Sequence, residues 1–429
     1  MLIDNYTGFV TSIKNVRAHT NADRLQVGEV FHNQVIVGLD WKEGDIGIYF
    51  PSGSQLGVEY CKENSLLRSQ GGYLDDDKRH VVAVKLRKEI SDGLFMPLSS
   101  LEGFTDVSSL KVGDIITVLN GLIICEKYVP KTTERKYSFE KGKNEKKKSE
   151  YPLFSEHLDT AQLAYNMARF RPGDICVITL KMHGTSGRSS HTFRVLPPKT
   201  GLVQKIRCFI GCKILGFSAL PTARTWECVC GSRRVILDEK ADGGFYGTND
   251  FRFKHHQKFV ICLPKGMTVF YEIVGYVSPD KPIMADGNNK KVDDKGFVAL
   301  YGEKTRFSYG CEDGESELYV YRITMTNEDG YEYELSWDAV KLQCDKMGVK
   351  HVPELERFVF TTEEDLLSRI EKYLDVPDPV GKTHVTEGVV IRIENSAQFE
   401  AYKHKGNLFK ILEGIITSDA VKPDMEEDA

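Results

Sequence analysis

The chain has 429 residues, enough for two or three domains and a sizeable core. With 28% charged and 41% hydrophobic residues it has the composition of a soluble globular protein, and a net charge of −5 excludes a wholly basic nucleic-acid coat while allowing local basic surfaces. No run approaches the ~20 apolar residues of a membrane span, and Met1-Leu2-Ile3-Asp4-Asn5 lacks the charged and apolar regions of a signal peptide. Ten cysteines without such a signal read as reduced thiols, which places the protein inside the cell, in cytoplasm or nucleus.

Residues 1–125 read as a β-rich module. Phe9–Ile13, Leu25–Val30 and Gln34–Gly38 are short runs rich in β-branched residues. Gly44-Asp45 leads into Ile46–Phe50, and Val81–Leu86 follows a polar loop. Short strands separated by such turns predict a small barrel. His19-Thr20-Asn21-Ala22-Asp23-Arg24-Leu25 resembles the H-x-N-A-D-x-L signature of tRNA-binding modules built on an oligonucleotide/oligosaccharide-binding (OB) barrel. Gly44-Asp45 and Val84-Lys85-Leu86-Arg87 fit the same comparison. The signature either contacts RNA or builds a structural turn. Residues 126–150, with Lys131, Arg135, Lys136, Lys141, Lys143 and the run Lys146-Lys147-Lys148, read as an exposed charged linker. Its lysines are either a solvated face or a surface that tracks phosphates.

Beyond the linker, Leu158–Leu163 opens a predicted helix that Arg171-Pro172-Gly173 stops. Asp174–Leu180 is mostly apolar and predicts a buried strand, which delivers Lys181-Met182-His183-Gly184-Thr185-Ser186-Gly187-Arg188. A lysine leaving a buried strand can be partly desolvated, which lowers its pKa and frees the amine that attacks an electrophile. Gly184 would let backbone approach a ligand, and Thr185, Ser186 and Arg188 offer donors to anionic oxygens. By spacing alone, Lys181 is either that nucleophile or a surface residue before an ordinary turn. Cys208, Cys212, Cys228 and Cys230 raise a zinc site, but C-x3-C and C-x-C are not a standard ribbon spacing, and core or surface thiols are the competing reading. Strand-like runs follow at Thr268–Val274, Glu317–Ile323 and Gly388–Ile393. Helices are predicted over Asp338–Met347, before Gly348, and after the capping box Thr361-x-x-Glu364. The mixed order points to α+β rather than a regularly alternating parallel sheet. Residues 416–429 end in an acidic tail.

A lysine that attacks the α-phosphate of a nucleotide needs carboxylates to place a metal, cations to hold phosphates and an aromatic face for the base. The chain offers Glu272 in Phe270–Gly275, Glu387 before Gly388, Lys403, Lys405 and Lys410 in Tyr402–Lys410, and Tyr319 and Tyr321 alternating in an apolar run. Singly, the charged residues also fit exposed faces and the tyrosines a core. In this order, they resemble the motifs of covalent nucleotidyl transferases, the polynucleotide ligases and mRNA capping enzymes. K-x-H-G-T, with His183 where DNA ligases and capping enzymes usually carry aspartate, is similar to the phage and RNA-editing branch of ATP-dependent RNA ligases. The barrel ahead of the transferase, His157-Leu158-Asp159-Thr160 and the ending Lys403-His404-Lys405 resemble the Naegleria-type RNA ligases, over residues 150–415 with the N-terminal module extending the match.

The resemblance implies an α+β chain: an OB-like β-barrel over 1–125, then a mixed-sheet, ATP-grasp-like nucleotidyltransferase domain over 151–415. It implies sealing of RNA 3′-hydroxyl and 5′-phosphate ends by a monomer that uses ATP and a divalent metal, Mg or Mn. Lys181 would form lysyl-AMP, Glu272 would bind ribose and Tyr321 would stack on adenine. Glu387 would organise the metal, directly or through water. Lys403 and Lys405 would contact the α-phosphate and stabilise charge developing there. Arg188 and Ser232-Arg233-Arg234 are weaker matches, to a ribose or RNA-phosphate contact. Two positions depart from the pattern: Leu180 stands where the phage and editing enzymes usually carry glutamate, and Arg322 follows Tyr321 where acidic residues also occur. A DNA ligase, a GTP-using capping enzyme and a noncatalytic tRNA-binding protein are the rival readings.

Overall fold

Strand β1 (Gly8–Ser12) runs almost directly into β2 (Lys14–Ala18), and the fully buried Ile13 sits at the joint. β1 pairs with β5 (Ile46–Phe50), and β2 continues a meander through β3 (Gln26–Val30) and β4 (Asn33–Val37). Strands β6 (Ala83–Leu86) and β7 (Leu94–Pro97) belong to the same β-rich unit, with β7 on the side of β5 away from β1. Alternation along the strands separates two apolar clusters. Val10, Ile48 and Phe50 lie in one, Phe9, Tyr49 and Phe95 in the other. The H-x-N-A-D-x-L stretch folds as a turn. His19 Nδ1 accepts from Asn21 N at 3.0 Å, and Asn21 and Arg87 exchange side-chain-to-carbonyl hydrogen bonds of 2.9 and 3.0 Å.

The computed structural model describes residues 5–87, 89–129, 148, 150–157, 159–196, 224–239, 246–292, 294–396, 398–413 and 416–417. Most of the predicted charged linker, and Cys208 and Cys212, lie outside them. Among the described residues no helix is long and apolar enough to cross a membrane.

The helix expected from Leu158 does not form. Its place is taken by the short strand Ala161–Gln162 and single 3-10 turns at Leu163–Tyr165 and Met167–Arg169. Tertiary contacts override the helical pattern. Gln162 N donates to Asn5 Oδ1 at 2.7 Å, and Tyr165 stacks on Phe9 with ring centroids 4.7 Å apart.

Two antiparallel-dominated sheets form most of the described structure beyond the barrel. The first has the order Ala161–Gln162, β16 (Glu400–Lys405), β15 (Gly388–Ile393), β8 (Ile175–Lys181) and β14 (Glu354–Val359). The spine of the second is β10 (Arg224–Gly231), β9 (Thr185–Val195), β11 (Met267–Ser278), β12 (Ser316–Thr326) and β13 (Glu332–Glu334). Both are mixed: Ala161–Gln162 is parallel to β16, and Lys350–His351 is parallel to β12. Helix α1 (Asp250–Val260) packs on the second sheet. Helix α2 (Trp337–Met347) starts at Ser336 and ends at Gly348, whose φ of +64° suits a residue without Cβ. Helix α3 (Glu363–Glu371) is capped by Thr362, one residue later than the capping box predicts, with Thr362 Oγ1 accepting from Asp365 N. Helix α4 (Asn407–Leu412) follows β16.

The two-residue period of the first sheet sorts its chemistry. Cys176, Ile178, Val389, Ile391 and Tyr402 point to one face, where Leu366 and Ile370 of α3 cover them. Thr179, Lys181, Val390, Arg392, Ala401, Lys403 and Lys405 point to the other face and line a cavity against the second sheet.

Candidate active site

Lys181, the last residue of β8, pairs across the sheet with Gly388, and Gly388 pairs with Lys405 on its other side. One row further along lie Thr179, Val390 and Lys403. This register puts three lysines in one patch. A Cβ on Gly388 would lie 2.1 Å from His404 O, so only glycine lets the strands come this close beside Glu387.

Glu387 holds the patch together. It is fully buried, and its Oε1 contacts Lys181 Nζ and lies 3.5 Å from Lys405 Nζ. Its Oε2 is buried with no hydrogen-bond partner among the described residues. Lys403 is held against two like charges. Burial, then the neighbouring Lys405 and Lys181 charges, pulls its pKa down to about 7. Asp159 opposes this from the cavity wall.

The second sheet supplies the facing wall. Glu272 of β11 pairs with Ser186 of β9, and Ser186 Oγ donates to Glu272 Oε2 at 3.2 Å. Across β11 and β12 the register shifts between Phe270 and Tyr271. This bulge lets the adjacent residues Tyr321 and Arg322 both line the cavity. Tyr319, expected on the same face as Tyr321, belongs to the apolar core with Lys350 Nζ over its ring. The His157 ring meets Tyr321 edge-on at 5.3 Å, and burial together with surrounding arginines keeps it neutral.

Arg233 lines the cavity and pairs with Asp159 at 2.9 Å, and the more exposed Arg234 pairs with the same carboxylate at 3.4 Å. Arg188 is elsewhere. Its Nε donates to Ser232 O at 2.8 Å and its Nη1 to the carbonyls of Phe154 and Ser155, with the guanidinium 4.1 Å over the Phe154 ring. It braces the entry to the domain, and burial lowers its pKa to about 10. His183 also turns away from the cavity. It is buried between Phe307 and Phe409, its Nε2 lies 3.2 Å from Glu413 Oε1, and its backbone N donates to Tyr309 Oη at 2.6 Å. Gly184 is needed for close packing, since a Cβ there would lie 2.3 Å from Ile273 O; the close neighbour is strand backbone, not a ligand. Lys410 is bound to Asp92 of the barrel at 3.1 Å.

The donor set fits a divalent cation held largely through water. Glu387 Oε2 offers one free carboxylate oxygen, and no cluster of three potential protein ligands occurs among the described residues. Zinc has no support from the described cysteines. Cys230 is buried in β10 with its thiol pushed up to about 12, and Cys228 Sγ donates to Val260 O.

The sequence profile of the RNA ligase family matches residues 174–412, more than half of the chain and all of the strands that carry Lys181, Glu272, Tyr321, Glu387, Lys403 and Lys405. The chain belongs to the RNA ligase family. An OB-fold domain profile matches residues 8–98 of the ligase, the barrel described above. No curated protein matches it by sequence. Its fold is that of Naegleria gruberi RNA ligase: the structure with PPi superposes with a TM-score of 0.58 at 14% identity, covering 94% of this chain and 97% of that one. A mutant of the same Naegleria gruberi protein with ATP and Mn gives 0.58 at 15% identity, over 95% and 99% of the two chains. At these identities the likeness is one of fold.

Two residues of the ligase cavity, Arg392 and Phe399, escape the motif reading, as does Arg252, which lies behind it. Arg392 faces the cavity from a strand whose alternation, Gly388-Val390-Arg392, placed it there in advance. Phe399 comes from a loop, and Arg252 from helix α1; neither carries a local signal. Arg252 donates to Thr185 Oγ1 and, at 2.6 Å, to Ser186 O, and so fixes the strand that leaves the Lys181 loop.

Proposed function

We propose that the protein is an ATP-dependent RNA ligase that joins a 3′-hydroxyl end to a 5′-phosphate end through lysyl-AMP and RNA-adenylate. The observation that carries this reading is the convergence of Lys181, Lys403, Lys405 and Glu387 on one cavity wall, opposite Glu272 and Tyr321. Lys181 Nζ, in its neutral form and in contact with Glu387 Oε1, attacks the α-phosphorus of ATP. A P–N bond forms as the P–O bond to pyrophosphate breaks. A 5′-phosphate oxygen of RNA then takes the AMP, the P–N bond breaks and Lys181 recovers a proton. Finally the 3′-hydroxyl attacks that 5′-phosphorus and AMP leaves.

Lys403 and Lys405 meet the α-phosphate, and in this water-poor pocket their charges weigh more on a developing oxyanion than they would in solvent. Glu272, fixed by Ser186, is placed to accept from the ribose hydroxyls, and Tyr321 to face the base. Arg233, on the cavity wall, and the neighbouring Arg234, which shares Asp159 with it, would meet RNA phosphates. A divalent cation beside Glu387 would offset phosphate charge. The cavity is built by residues 157–405 of one chain, which suits a monomer, and the described cysteines are free thiols, which suits a reducing compartment. Lys181→Ala should abolish covalent labelling of the protein by α-labelled ATP, and retained label on that variant would sink the assignment. Sealing of nicked and single-stranded substrates, with the 3′ and 5′ strands varied separately, tests the choice of ends.

A further inference from the structure

The cavity has two chemically different ends. Lys181, Lys403, Lys405 and Glu387 gather at one. The row of Arg392 lies four residues along β15 from Gly388, the partner of Lys181, so roughly 13 Å separates the two rows at ~3.3 Å per residue. At that far end the wall is a ladder of guanidiniums and rings. Arg322 lies 4.5 Å from the Phe270 ring and 5.0 Å from that of Phe399, while Arg392 lies 5.0 Å from Phe399 and 5.4 Å from Trp337.

The two arginines differ in how many of their donors are used. Arg392 is committed on all three nitrogens: Nε to Glu394 at 2.8 Å, Nη1 to Tyr321 O at 3.2 Å and Nη2 to Leu335 O at 3.3 Å. Arg322 turns Nε and Nη2 to Glu334, with Glu332 at 3.7 Å, and its Nη1 has no protein partner among the described residues. Its side chain is only 8% exposed and it lines the cavity. Two buried guanidiniums and their glutamates make a wall that an apolar one would match or better for stability. Because Nη1 is turned to the open cavity and not committed to protein, it can donate to an acceptor brought there by a ligand. Leu180, on the same cavity, offers no side-chain acceptor to an exocyclic amine.

We infer that Arg322 reads the nucleobase, its Nη1 donating to a ring nitrogen of adenine (N1, N3 or N7) while the adjacent Tyr321 meets the ring face. This rests on the reading of the cavity as an ATP site. Arg322 thereby sets base specificity through the acceptor edge of the purine.

Two variants test it: Arg322→Met, and the double variant Arg322→Met/Glu334→Met, which leaves no buried carboxylate facing a missing partner. Thermal melting establishes that each is folded, and covalent labelling of Lys181 is followed with ATP and with its 1-deaza, 3-deaza and 7-deaza analogues. The wild type is expected to lose about 10- to 100-fold in KM on one analogue, the range for one hydrogen bond from a charged donor. The double variant should show that same loss on ATP itself, with an unchanged maximal rate and no discrimination between ATP and that analogue. A wild type that labels but treats all four nucleotides alike, or a folded double variant that keeps the wild-type discrimination, overturns the assignment of Arg322 alone. A wild type that takes label from none of them overturns the ATP reading and this inference with it.

Discussion

Lys403 is a residue whose chemistry is set by its surroundings. Buried beside two other ammonium groups, it titrates near 7 rather than at the ordinary lysine value of 10.5. Between those two pH values the folded chain binds fewer protons at this site than the unfolded chain, so the site makes stability rise with pH across that window. An α-phosphate placed against Lys403 reverses the bias, because an adjacent anion favours the ammonium form. Nucleotide binding should therefore take up a proton above about pH 7, and apparent affinity should fall by up to tenfold per pH unit above that point. Titration calorimetry in buffers of different ionisation enthalpy, at about pH 8, reads the uptake directly. Lys403→Met should bind more weakly and show no uptake. A wild type that binds nucleotide with no net proton exchange would remove Lys403 from the phosphate site.

Between elements, the decisive contact is the packing of the Lys181 loop on β11. Gly184 sits where a Cβ would strike the carbonyl of Ile273 and Val274 Cγ1, so Gly184→Ala must push the loop off the strand. The expected cost is about 1–3 kcal/mol, the usual range for overpacking, together with displacement of Lys181. Denaturant unfolding and covalent labelling should both decline. Unchanged values would mean that the loop has room the geometry does not suggest. What the sequence reveals at this scale follows from period and order. The apolar run before Lys181, the alternation in Gly388–Ile393 and the sequential motif residues put the lysines and both glutamates on the right strands. What it conceals comes from register and from distant segments. A bulge separates Tyr321 from Tyr319, and Arg252 reaches the Lys181 loop from a helix. Arg188 and His183, polar residues beside the nucleophile, are consumed by backbone carbonyls and by Glu413. Local pattern contains no information about which of two neighbouring polar residues tertiary packing will claim.

The barrel and the ligase domain are joined through the short segment that the sequence misread as a helix. On one side Asn5 of the barrel region accepts from Gln162 N and donates to Thr160 O; on the other, Gln162 pairs with Lys403. Tyr165 follows at once and inserts its ring among Phe9, Phe31 and Tyr49. The strand that carries Lys403 is thus held in place by the other domain. Lys410 with Asp92, a largely buried pair, and the more exposed His32 with Glu363 add contacts across the same junction, the latter contributing little. The ring should matter most. Tyr165→Ala is expected to cost about 3–5 kcal/mol, the range for deleting a large ring from a packed cluster. Its signature should be spatial as well. Hydrogen exchange of backbone amides should accelerate in the barrel strands around Phe9 and Tyr49, and also in β16 around Lys403, because the anchor of its neighbour is lost. Acceleration confined to the barrel, with β16 unchanged, would show that the ligase domain holds its lysines without help from the barrel.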